Sequence, residues 1–304
     1  MKVLLCGALD AAERSTWQTA LTKATASALP EVTWLDEAAA RREPDAVQAA
    51  VVAHPPPGSL QGLPGLRLIQ SLWAGVDGLL ADPTLPAGVP IARMVDPVMN
   101  TAMAETALWA VLSLHRGFFS YAQQQRNMLW RQLGQRLASE VSVLVLGQGQ
   151  MGGAVAARLA QQGYAVQTWR RDGAALALRL AQAEVVINLL PLTAATRGLM
   201  DANFFAAMPA QAALVNLARG AHVVDADLLA ALDSGHLQHA VLDVFDTEPL
   251  PAGHAFWQHP RVTLLPHAAA QTDLRSAAAV VAANLRALRD GAPLAHLVDR
   301  QRGY

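Results

Sequence analysis

The chain has 304 residues, of which 53% are hydrophobic, 15% charged and 5% aromatic, with a formal net charge of -1. At about 100–200 residues per domain this length favours two domains, and so apolar a composition excludes intrinsic disorder. A near-neutral balance gives no sequence-wide case for nucleic acid or an anionic membrane, so any charge that matters is local. The opening Met1-Lys2-Val3-Leu4-Leu5-Cys6-Gly7 reads as a buried strand closed by Gly7 rather than an export signal. Its apolar core is too short, Asp10 and Glu13 follow at once, and no small-residue cleavage site is in place. Cys6 is the single cysteine and cannot form an internal disulfide, and no run approaches the roughly 18 apolar residues of a membrane span. A soluble, cytoplasmic protein is expected.

Unbroken apolar runs at 3–6, 32–35, 50–53 and 66–71 fit strands of a parallel sheet buried on both faces. Pro83, Pro86, Gly88, Pro90 and Pro97 then punctuate the chain, and a long helical pattern starts at Val98. Trp130 and Gly134 lie in the irregular stretch that ends it. A second series opens at Val141, with strands at 141–146, 165–169, 184–189, 213–217, 240–244 and 262–265 and helices at 151–162 and 225–234. A last helical pattern covers 272–289. Such alternation predicts an α/β chain with two doubly wound parallel-sheet domains, Rossmann-like or flavodoxin-like, and a cleft between them.

The strand ending at Leu146 runs into Gly147-Gln148-Gly149-Gln150-Met151-Gly152, and a helical stretch follows. A G-x-G-x-x-G between strand and helix is the dinucleotide fingerprint. Gly147 serves the tight turn, Gly149 lets backbone approach a pyrophosphate, and Gly152 allows helix to pack on strand. Eighteen residues beyond Gly152, where NAD-binding chains place a carboxylate for the ribose, stand Arg170 and Arg171. Two guanidiniums attract a 2′-phosphate, so NADPH is the expected cofactor, with NADH possible. Asp172 beside them pulls the other way.

Of nine histidines, His236, His239, His254 and His259 read as surface or loop residues, because no Cys or acidic cluster supports a metal. His267 differs: it follows the strand 262–265, at the carboxyl end where open α/β sheets bind ligands. Two neighbouring strand ends lead to Arg219 and to Glu248. Together the three can reduce a 2-keto acid. Arg219 would hold the carboxylate and polarise the keto oxygen, His267 would protonate that oxygen, and Glu248 would orient the imidazole.

These residues resemble the D-isomer-specific 2-hydroxyacid dehydrogenases. The matching segments are 147–152, Asn188-Leu189-Leu190-Pro191, Asn216-Leu217-Ala218-Arg219-Gly220, Asp243-Val244-Phe245 with Glu248-Pro249, and Pro266-His267. They keep the family's order over nearly the whole chain, and the flanking residues are most similar to its glyoxylate/hydroxypyruvate reductase A branch. That resemblance implies NADPH-dependent reduction of glyoxylate and hydroxypyruvate and a homodimer built on the helix after Pro97. It also implies cofactor contacts at Gln150, Met151, Leu190, Pro191, Leu217, Ala218 and Asp243. In Leu72-Trp73-Ala74-Gly75-Val76-Asp77, it places the substrate carboxylate on the backbone of Ala74 and Gly75. The implied topology is a discontinuous substrate domain, 1–97 plus 272–304, and a dinucleotide domain, 98–271, with a dimerisation helix near 98–120. Two other readings stay open on residues alone: a catalytically silent NAD(P) sensor on the same fold, and a dehydrogenase for another small anion such as phosphite. Retention of Arg219, Glu248 and His267 together argues against the sensor, which needs only the cofactor pocket.

Overall fold

The computed structural model describes residues 1–170 and 175–304. They divide into two compact units, Met1–Val98 with Thr272–Tyr304, and Met99–Gln271.

The first unit runs β1 (Lys2–Gly7), α1 (Ala11–Thr25), β2 (Thr33–Leu35), α2 (Glu37–Arg42), β3 (Val47–Ala53), β4 (Leu68–Ser71), α3 (Asp77–Leu80) and β5 (Ile91–Ala92). Its five strands are all parallel, in the order β2-β1-β3-β4-β5. The charges that break the opening apolar run have a structural use. Asp10 and Glu13 form a capping box, each side chain taking the other's backbone N–H at 2.8 and 3.0 Å, and so start α1. Strand β3 begins at Val47, three residues before the expected start, because Val47 and Ala49 are buried alongside the run 50–53. β5 was hidden from pattern reading: two residues after Pro90 carry no period, and only pairing with β4 makes them a strand.

The chain's last helix, α10 (Leu274–Asp290), belongs to this first unit. Its apolar face of Ala277, Ala278, Val281, Leu285 and Leu288 is buried, and it packs on α1. Asn284, 2% exposed, donates to Gln70 Oε1 at 2.7 Å and accepts from Ala295 N at 2.9 Å, so its burial leaves no amide group unpaired.

The second unit continues with α4 (Pro97–His115), α5 (Phe118–Arg126), β6 (Ser142–Leu146), α6 (Gln150–Gln161), β7 (Ala165–Trp169), α7 (Leu176–Leu180), β8 (Val185–Asn188), α8 (Ala202–Ala206), β9 (Ala212–Asn216), α9 (Asp225–Asp233), β10 (Leu237–Leu242) and β11 (Val262–Leu264). The single helix expected near 98–120 is two. Gly117 sits at φ +71°, a left-handed turn that stops α4, and Leu133 packs where its side chain would be.

Six parallel strands run in the order β11-β10-β9-β8-β6-β7. Both faces are covered. From β6, Val143 and Val145 enter one buried cluster with α4 and α6 residues, while Leu144 and Leu146 enter another with Phe204, Phe205 and Leu228. Each such side chain contributes about 1.5–3 kcal/mol of burial. Strand order reverses between β6 and β8, which makes their carboxyl ends the crevice where such sheets bind ligands. Among the described residues no helix is long and apolar enough to cross a membrane.

Candidate active site

The glycine fingerprint folds as the crevice requires. Gly147 closes β6 at φ +106°, and a Cβ there would stand 2.6 Å from Leu189 O, across the strand reversal. Gly152 has no such backbone demand; its constraint is space, since a Cβ would lie 1.9 Å from Gly147 O. Helix α6 is thereby pressed onto the turn. Gly149 faces open space, and as N-cap of α6 it offers no side-chain acceptor to the helix's first amides. Bare amides at the positive end of a helix, beside a turn with no side chain in the way, fit a dinucleotide pyrophosphate. Gln150 and Met151 form the first turn of that helix. Gln148 bonds Thr168 Oγ1 at 2.6 Å and ties the turn to β7, beyond which Arg170 stands exposed. Arg171 lies outside the described residues.

Two of the three acid–base residues meet directly. Glu248 Oε1 accepts from Phe245 N–H at 2.8 Å, and its Oε2 lies 2.7 Å from His267 Nδ1. A carboxylate held by backbone on one oxygen makes Nδ1 the donor on the other. Nε2 is then left at the outer side of the ring, whose side chain is 53% exposed. His267 adopts φ +53°, a left-handed conformation that costs a non-glycine residue of order 1–3 kcal/mol. The turn is held from beneath. His267 N donates to Asp243 O at 2.8 Å, and Asp243 Oδ1 takes Ala268 N at 2.7 Å. Ala269 N lies 3.1 Å from Asp243 Oδ2. Burial pushes the Asp243 carboxyl above its ordinary pKa, opposed by those two amides and by His267. The Asp243 carboxylate thus organises the histidine turn.

Arg219 follows β9, and its guanidinium donates to Ala218 O at 2.8 Å. Gly220 explains how its turn comes to lie against the glutamate turn: a Cβ there would sit 1.9 Å from Phe245 C and 2.2 Å from Asp246 N. Beneath Leu190, Pro191, Leu217 and Ala218 lies a polar cluster to which the sequence reading assigned no role. Asn188, Asn216 and His222 are each 0% exposed. Asn188 Nδ2 bonds both Asn216 Oδ1 and His222 Nδ1 at 2.9 Å, and Asn216 Nδ2 donates to Arg219 O at 3.0 Å. An asparagine closing an otherwise apolar strand, twice over, is the sequence signal for it.

In the first unit, Ala74 and Gly75 lie half-buried between β4 and α3. The loop is shaped by Ser71, whose Oγ accepts from Trp73 N at 3.0 Å, and by Met94 N on Trp73 O at 3.0 Å. His239 corrects the surface reading. It lies on β10, 8% exposed, stacked on Phe119 at 4.3 Å and bonded to Thr263 Oγ1 at 2.8 Å. Burial lowers its pKa to about 4. Among the described residues no three His, Cys, Asp or Glu side chains are grouped to hold a metal.

A doubly wound sheet with a glycine-lined helix start and a His–Glu pair at adjacent strand ends defines a nucleotide-dependent oxidoreductase architecture. Residues 108–269 match the family model described as "D-isomer specific 2-hydroxyacid dehydrogenase, NAD binding domain". The chain is 39% identical to glyoxylate/hydroxypyruvate reductase A of Yersinia enterocolitica, over 84% of this chain and 87% of that protein. Against its namesake in Serratia proteamaculans the identity is 41%, with the same coverage. Its fold is similar to a D-isomer specific 2-hydroxyacid dehydrogenase from Xanthobacter autotrophicus in complex with NADPH and MES (TM-score 0.92, 37% identity, 100% and 99% of the two chains covered). It is also similar to the NADPH-dependent glyoxylate/hydroxypyruvate reductase of Sinorhizobium meliloti in complex with NADP and sulfate (TM-score 0.89, 32% identity, 100% and 99% covered). The chain belongs to the D-isomer specific 2-hydroxyacid dehydrogenase family.

Proposed function

We propose that this protein reduces small 2-keto acids with NADPH, taking glyoxylate to glycolate and hydroxypyruvate to D-glycerate. The observation that carries the reading is the His267–Glu248 pair, 2.7 Å apart, with the far oxygen of Glu248 fixed by Phe245 N–H. A ring held at Nδ1 presents Nε2 in one orientation, the geometry a general acid needs. Arg219 holds the substrate carboxylate and polarises the keto oxygen, which takes the proton from His267 Nε2. Bound NADPH supplies the hydride to the keto carbon. The fingerprint turn, Gly147 to Gly152, takes the pyrophosphate, and Arg170 and Arg171 take the 2′-phosphate. Leu190, Pro191, Leu217, Ala218 and Asp243 complete the cofactor contacts. In the other unit the backbone at Ala74 and Gly75 is assigned to the substrate carboxylate, since a turn poor in side chains lets amides approach an anion.

A homodimer accompanies this reading. Trp109, Leu112, Phe118, Met128, Leu129 and Trp130 are exposed on α4, on α5 and in the stretch after it, with Trp130 100% accessible. So much apolar surface on one run of chain suits a second copy. A reducing compartment, the cytoplasm, suits a chain whose single cysteine is buried, its thiol raised to about 12 by that burial.

The test is kcat/KM for glyoxylate, hydroxypyruvate, pyruvate and larger 2-keto acids with NADPH and with NADH. The two-carbon and three-carbon hydroxylated substrates with NADPH should lead; no turnover of any 2-keto acid, despite tight NADPH binding, would establish the sensor instead. Changing Arg170 and Arg171 together to alanine should lower the NADPH-over-NADH preference by roughly ten- to a hundredfold, the worth of one or two charge-assisted hydrogen bonds. An unchanged ratio would remove both arginines from 2′-phosphate recognition.

A further inference from the structure

We propose that His222 is a positioning residue, which locks the cofactor turn 188–191 to the turn that carries Arg219. The inference rests on the reductase reading for what those turns bind, and on the buried cluster for how they are joined.

His222 Nδ1 lies between two groups, Asn188 Nδ2 at 2.9 Å and Arg219 O at 3.2 Å, and hydrogen-bond counting decides between them. Leu190 N donates to Asn188 Oδ1 at 3.1 Å, which fixes the amide and leaves both N–H groups of Nδ2 as donors. One goes to Asn216 Oδ1 and the other to His222 Nδ1. A proton on Nδ1 would serve Arg219 O, which Asn216 Nδ2 already holds, and would strand the second Asn188 N–H, so Nδ1 accepts and the ring carries its proton on Nε2. That proton points to Pro191 O, 3.3 Å away, a carbonyl also held by Thr196 Oγ1 at 2.8 Å. Asn216 passes the constraint on, taking Ala218 N at 3.3 Å and donating to Arg219 O. His222 is itself three residues past Arg219, on the short helical turn Gly220–His222, so its ring reaches back over its own turn to grip the neighbouring one. A buried apolar residue at 222 would fill the space as well. Only an imidazole in this tautomer satisfies Asn188 and Pro191 at once, and an unmet buried donor or acceptor is costly.

Three variants separate the two bonds. His222→Phe removes both, His222→Gln keeps a donor toward Pro191 O, and His222→Asn keeps an acceptor toward Asn188. Binary NADPH affinity, read by nucleotide fluorescence, and oxamate affinity of the NADPH-loaded protein need no turnover. KM and kcat for glyoxylate are measured beside them. His222→Phe is expected to weaken NADPH and oxamate about tenfold each and to raise KM by the same factor, as loss of one buried hydrogen bond does. His222→Gln should recover most of the NADPH affinity, because the Pro191 turn is the cofactor's. A folded His222→Phe with wild-type affinities and KM, only lower in melting temperature, would overturn the proposal. So would equal losses in all three variants, since packing alone would then explain them. If His222→Phe does not fold, the other two decide: the proposal stands only when Gln binds NADPH more tightly than Asn. Absence of turnover in the wild-type protein would defeat the reductase reading, while the NADPH affinities would still judge His222.

Discussion

Replacing His267 by alanine should lower kcat for glyoxylate by about 10²- to 10⁴-fold, the usual worth of a positioned general acid, and leave NADPH affinity unchanged. The split follows from where the residue stands. His267 reaches its partners through Nδ1 on Glu248 and through backbone to Asp243, while the glycine turn proposed for the nucleotide is at the end of β6. The methyl group of alanine keeps the backbone bonds of the turn, and it relieves nothing that the fold needs, because the imidazole is half-exposed. Glu248→Gln should show the same pattern more mildly: the amide can still accept from Phe245 N–H or face the ring, but it brings no negative charge to the imidazolium. Steady-state kinetics and a fluorescence titration with NADPH measure both. Wild-type kcat in His267→Ala would remove the residue from the proton transfer.

Gly220→Ala should be among the most damaging single methyl groups at the described glycines. Its Cβ would fall 1.9 Å from Phe245 C and 2.2 Å from Phe245 Cα and Asp246 N, all of them backbone atoms with no rotamer to escape into. Overpacking of this kind costs about 1–3 kcal/mol, occasionally more. The displaced segment is the one whose Phe245 N–H fixes Glu248, so the methyl group also drags the carboxylate from His267. A lower melting temperature together with a fall in kcat is expected. Gly253→Ala is the matched control, since a Cβ there meets nothing within 4 Å. Equal behaviour of the two variants in melting and turnover would show that the close approach at Gly220 is not what aligns the pair.

Much of the architecture is legible in the sequence, and the reasons are local. Strands buried on both faces must be apolar throughout, which is why β6 and β9 stand out as Val-Leu-Val-Leu and Ala-Ala-Leu-Val. Gly147, Gly149 and Gly152 announced a turn because each answers a different local demand: a left-handed φ, an open approach, and a helix pressed on backbone. What failed to show were features with no local signature. β5 is two residues long and exists only as a partner of β4. The stop at Gly117 sits inside an apolar stretch that reads as one helix until the left-handed turn appears. His239 looked polar and external, but strand pairing carries it inward against Phe119.

The amino-acid sequence by itself determined that this is a two-part α/β chain with a glycine turn between strand and helix, and it singled out Arg219, Glu248 and His267 as the candidates for its chemistry. Those conclusions need only period, glycine spacing and the side chains' own acid–base character. Tertiary structure decided which of these groups touch. Glu248 and His267 are nineteen positions apart, and they meet because β10 and β11 pair as neighbours and Asp243 draws the histidine turn back over the strand end. The same holds for Asn188, Asn216 and His222, which stand in three separate segments. Burial turned them into one network, because polar groups removed from water must find each other or leave a bond unmade.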